Sequence, residues 1–122
     1  MSARENVIDP KALDAIRALQ RPGKPDLLGR IVGLFESETP KAIRTMLEAL
    51  DAADMATLRD GAHTLKSSSA YVGATALSAR CRDLERSARE NNLPACIVLA
   101  DGLEEDGAAA LEELAGLSRR AA

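Results

Sequence analysis

Histidine occurs once in the 122 residues, at His63. Lys66 follows it by three positions, Ser67 by four and Ala70 by seven, the intervals at which residues on a helix become neighbours. Glu85 and Arg89, four apart, form a second such pair. An imidazole flanked by small residues is open to close approach by another molecule. Lys66 sets a positive charge within reach of any group attached to the ring. If an antiparallel neighbouring helix brings Glu85 alongside, its carboxylate accepts a hydrogen bond from Nδ1–H. That bond fixes the tautomer and leaves Nε2 as the free nucleophile. Plainer readings stand beside this one. A surface histidine and a surface lysine can simply be solvated, and an exposed Glu85–Arg89 pair contributes only roughly a few tenths of a kcal/mol.

For that geometry to arise, His63 must sit on a helix and point away from its core. Turn signals divide the chain into five helical pieces. The first starts at Asp9-Pro10, an N-cap with proline behind it, carries Leu13, Ile16 and Leu19, and stops at the Arg21–Pro25 turn. The second opens at Asp26, with Leu28, Ile31 and Phe35 continued in nearly the same phase by Ala42, Met46 and Leu50. Pro40 lies between the halves. The preserved phase favours one long bent helix to about Ala53 over two helices with Thr39 as a second N-cap.

The third helix begins at Asp54, with a stripe of Met55, Leu58, Ala62, Leu65, Ser69 and Val72 and a stop at Gly73. At about 100° per residue, His63 points roughly 130° away from that stripe. The fourth runs from about Ala74 to Glu90 over Leu77, Cys81, Leu84 and Ala88, and Asn91-Asn92 ends it. The fifth starts near Pro94 and runs on through Cys96, Leu99, Leu103, Ala110, Leu114 and Leu117. Amphipathic helices joined by short turns alternate in direction and bury their stripes together. The expected fold is all-α, an up-down-up-down four-helix bundle with the short N-terminal helix covering one end. The whole chain, 1–122, reads as one domain with a core over about residues 9–118. Cys81 and Cys96 fall on core stripes and read as small buried hydrophobes.

The run Ala62-His63-Thr64-Leu65-Lys66-Ser67-Ser68-Ser69, then Gly73-Ala74, Leu77, Cys81, Leu84-Glu85 and Arg89, closely resembles the signature of histidine-containing phosphotransfer (HPt) domains. The family's bundle, a four-helix core with a short leading helix, fits the whole length. The resemblance implies a relay that accepts a phosphoryl group on His63 from a receiver-domain aspartate and hands it to another in two-component signalling. It implies charge stabilisation by Lys66, orientation of the imidazole by Glu85 and phosphate assistance by Arg89. The expected docking face is an apolar patch around His63 with a charged rim, drawing on Arg59, Ser67, Ala70, Tyr71 and Arg82; Tyr71 reads equally as a packing residue. No residue of the second helix stands out. Where the family usually has glycine this chain has Ser67, the next small step, so docking is expected to be tolerated.

The implied partners are response-regulator receiver domains and a hybrid sensor histidine kinase. No cofactor is expected on this chain; Mg²⁺ would belong to the receiver. No kinase or phosphatase activity of its own is expected. A helical module that docks partners without accepting phosphate is the rival reading. The phosphoacceptor module of a chemotaxis-type kinase shares the bundle but needs a kinase domain on the same chain.

Composition agrees with packed helices. Ala and Leu number 23 and 17, and aromatics make up only 2%, which disfavours β architectures. The net charge of −3 and the scarcity of aromatics argue against a nucleic-acid binder. The longest apolar run, Ala95 to Ala100, is far short of the ~20 residues that span a bilayer. Nothing after Met1–Asn6 resembles a secretory signal, and two cysteines fit a reducing compartment. A free-standing, monomeric, cytoplasmic protein with no membrane contact is expected.

Overall fold

The computed structural model describes residues 7–121 as six helices: α1 (Pro10–Ala18), α2 (Leu27–Asp51), α3 (Met55–Tyr71), α4 (Thr75–Arg89), α5 (Leu93–Ala100) and α6 (Leu103–Ala121). The segment Met1–Asn6, read above for targeting signals, lies outside the described residues. Four of the helix starts are closed by the side chain before them. Asp9, Asp26, Asp54 and Asn92 each accept from a backbone N–H two or three residues on, at 3.0–3.1 Å, satisfying donors that a helix start leaves open.

α3 packs most extensively on α4 and next on α2, and α6 closes the bundle against α2 and α4. α1 lies against α2. Ahead of α1, the Asp9 N–H donates to the Gly73 carbonyl at 2.8 Å, and Ile8 N–H to Glu113 on α6 at 2.6 Å. The leading segment thereby ties the α3–α4 turn to α6. Gly73 has φ +81°, and a Cβ there would come within 2.6 Å of the Asp9 carbonyl oxygen, so both its backbone conformation and its neighbour require glycine.

α2 is continuous through Pro40. Thr39 is buried in the core and caps nothing. The buried line of α2 is Leu28, Val32, Phe35, Thr39, Ile43, Met46 and Ala49, rotated slightly from the stripe expected at Ile31, Ala42 and Leu50, which are only half-buried. α3 and α4 bury Leu58, Ala62, Leu65, Ser69, Leu77, Cys81, Leu84 and Ala88. Leu19 does not extend the core face of α1. It stands at the C-cap and is exposed.

The expected fifth helix is two helices. Asp101 is extended and Gly102 has φ +107°, which turns the chain between α5 and α6. Arg80 on α4 explains how the break is stabilised. Its Nη1 donates to the Leu99 and Asp101 carbonyls at 2.7 and 3.1 Å, and its Nε to Asp106 at 2.6 Å. Carbonyls released by the break thus meet a fixed cation.

Candidate functional site

His63 lies on the third turn of α3, off the buried line, and 63% of its side chain is exposed. The adjacent face of α4 presents Glu85, which is 7% exposed. Three cationic or protic groups converge on this carboxylate. His63 Nδ1 is 2.7 Å from Oε2, Lys66 Nζ donates to Oε1 at 2.6 Å, and Arg89 Nη2 donates to Oε2 at 3.2 Å. Below them, Ser78 Oγ on α4 donates to the Lys66 carbonyl at 2.9 Å, fixing the register of α4 against α3 at the site.

The bond from Lys66, helped by that of His63, holds the Glu85 carboxyl below the usual glutamate range, against the opposing effect of burial. It is therefore ionised at neutral pH and can only accept. Nδ1 must then carry the hydrogen. Among the described residues Nε2 makes no hydrogen bond, so in the neutral ring its lone pair faces solvent. Lys66 and Arg89 are both engaged on Glu85, rather than standing free beside the ring.

Of the remaining residues singled out by sequence, Ser67 is exposed one turn beyond His63, its Oγ 3.4 Å from the His63 carbonyl. Arg59, one turn before His63, pairs with Asp60 at 3.6 Å, and Arg82 with Asp83 at 3.2 Å. Neither is bonded to the four-residue cluster. Ala70 and Tyr71 are exposed at the end of α3. Tyr71 lines an apolar groove of about 450 Å³ between α2 and α3, with Leu34, Phe35, Thr64 and Ser68. Sequence reasoning missed the α2 wall of this groove. Its signal was Leu34, a large hydrophobe off the core stripe, which the structure leaves 63% exposed.

Other chemistries find no support at the remaining candidates. Both cysteines are fully buried. Burial pushes the Cys81 thiol up to about 12 and raises that of Cys96 as well, so neither is a ready thiolate. No helix among the described residues is long and apolar enough to cross a membrane.

An upright bundle with an exposed imidazole oriented by a carboxylate on the next helix defines a recognisable class. Residues 30–119 match the family model described as Hpt domain. The chain belongs to that family. It is 34% identical over 85 residues to histidine-containing phosphotransfer protein 5 of Arabidopsis thaliana, and 29% identical over 85 residues to protein 2 of the same plant. Each match covers 67% of this chain and 54% of the relative, so the chain spans about half the length of these relatives. Among solved structures, it superposes on histidine-containing phosphotransfer protein B of Pseudomonas aeruginosa PAO1 with a TM-score of 0.82, 26% identity and 98% of both chains covered. A maize histidine-containing phosphotransfer protein matches in fold, with a TM-score of 0.78 and 21% identity over 97% of this chain and 89% of the other.

Proposed function

We propose that the chain is a phosphorelay intermediate of two-component signalling. Its His63 takes a phosphoryl group from the aspartate of one receiver domain and passes it to another. The observation that carries this reading is the His63–Glu85 pair: an exposed Nε2 on a ring whose Nδ1–H is held by an ionised carboxylate 2.7 Å away.

Attack by the Nε2 lone pair on the aspartyl phosphate forms an N–P bond as the O–P bond to the aspartate breaks. The ring becomes positively charged at that moment, and Glu85 stabilises the charge through Nδ1–H. Phosphoryl transfer proceeds through a loose transition state, so positioning and charge stabilisation carry the catalysis. Lys66 and Arg89 supply positive charge beside the incoming group. The receiver contributes Mg²⁺, and this chain contributes neither kinase nor phosphatase chemistry. A receiver docks on the face around His63, where Ser67 and Ala70 leave clearance and the Leu34–Tyr71 groove supplies apolar contact; Arg59 and Arg82 stand at its rim. A hybrid sensor kinase is the upstream source. The protein acts as a monomer in the cytoplasm, its helical stripes being consumed within one bundle.

The test is transfer from a panel of radiolabelled phospho-receivers to the wild type and to His63→Gln. An acid-labile, alkali-stable label on the wild type alone is expected. Receiver binding without label from any donor would replace this reading with that of a docking module.

A further inference from the structure

The exposed face of α4 carries three arginines that the chemistry at His63 does not account for as a group. Arg82, Arg86 and Arg89 follow one another at intervals of four and three, which places them within an arc of about 60°. Their side chains are 59–63% exposed. Among the described residues two carboxylates pair with them. Asp83 is shared by Arg82 and Arg86, at 3.2 and 3.3 Å. Glu85 is shared by Arg89 and Lys66. Four cations thus face two anions on the flank of His63, on a chain whose net charge is −3. Glu104, Glu105 and Asp106 fill the first turn of α6, and of these Asp106 pairs with Arg80 of α4. The surplus cations of these pairs adjoin the reactive ring through Arg89 and Glu85.

Building on the phosphorelay reading, we infer that the Arg82–Arg86–Arg89 face of α4 is an electrostatic docking surface for an acidic protein surface surrounding an aspartyl phosphate. The phosphoryl group of such a donor is itself close to a dianion at neutral pH. Guanidinium groups stay charged at any working pH and pair with carboxylates and phosphates in a fixed fork. Arg89 already touches Glu85, which touches His63, so a donor drawn to this face arrives beside Nε2. Arg82 lies about one turn before Glu85, and Arg86 follows Glu85 directly, about 100° further round the helix. Their exposure means that they act on encounter, through the rate of association and its sensitivity to salt.

The experiment measures transfer from receiver domains loaded with acetyl phosphate, at limiting receiver concentration, from about 20 to about 300 mM salt. The proteins compared are the wild type, Arg86→Glu, Arg82→Glu/Arg86→Glu, and Lys11→Glu as a control that lowers net charge equally to Arg86→Glu, from α1. The inference expects the double variant to lose about tenfold in second-order rate at low salt, with the gap closing at high salt. Lys11→Glu should stay within about twofold of wild type. Equal rates for wild type and double variant at every salt would overturn it, as would a deficit that persists at high salt or saturating receiver. So would binding to duplex DNA or phosphatidylserine vesicles that matches receiver binding and falls with the same variants. Binding to a beryllofluoride-loaded receiver separates this from the carrier reading. Salt-dependent binding weakened by the double variant, without label on the wild type, leaves the surface standing and sinks the carrier. Label accumulating on wild type and double variant at the same second-order rate at every salt does the reverse.

Discussion

Glu85 is where one side chain holds most of the site together. Its two oxygens satisfy Nδ1–H, Lys66 and Arg89, so substitutions should separate orientation from charge. Glu85→Gln keeps an acceptor for Nδ1–H but removes the charge that stabilises the cationic ring, so transfer should fall, though by less than in Glu85→Ala. Glu85→Ala releases the ring and should lower transfer by about 100-fold, the scale of a misplaced reacting group. Single-turnover transfer from one phospho-receiver measures both. The same residue makes stability depend on pH. Its folded-state pKa lies below the ordinary glutamate value, chiefly through the bond from Lys66, so the folded protein binds that proton less tightly than the unfolded chain. The contribution is complete above about pH 4.3 and declines as pH falls through the lower folded-state value. Urea unfolding between about pH 6 and about pH 3 should show wild type losing stability faster than Glu85→Gln on the acid side. The sequence offered Glu85 as an acceptor for Nδ1–H, but its role as a shared acceptor for three donors emerges only from the packing of α4 on α3.

At the scale of the elements, helix ends were legible where a side chain or glycine announced them. Asp9, Asp26, Asp54, Gly73 and Asn91 all mark observed boundaries. Ala53 is a different case. It ends α2 with φ +54°, and the Asp54 N–H reaches the Ala49 carbonyl at 2.8 Å, a left-handed closure that usually uses glycine. Ala53→Gly should therefore stabilise the protein by about 1 kcal/mol in thermal or urea unfolding. The α5–α6 break was missed because Leu99 and Leu103 keep helical phase across it. What holds the turn is Arg80, which is 19 to 26 residues away along the chain, and no local pattern encodes such a partner. Arg80→Ala should cost about 2 kcal/mol. It should also raise hydrogen exchange selectively in α5.

At the scale of the whole molecule, the bundle aligns a closely packed α3–α4 pair, an apolar groove beside it and the arginines of α4 on its other flank. The alternation of stripes made the bundle readable, because the stripes expected on α3 and α4 are buried apart from Met55, which is half-buried at the start of α3. The motif around His63 made the site readable. The α2 wall was not, since Leu34 acquires meaning only when α2 lies against α3. Having one histidine permits an unusually direct test: ¹⁵N-histidine labelling of the untagged chain gives a spectrum of His63 alone. After exposure to a phospho-receiver, Nε2 should show coupling to ³¹P while Nδ1 remains protonated and bonded to Glu85. Phosphorus coupling at Nδ1, or a ring spectrum unchanged by every phospho-receiver that binds, would contradict the account.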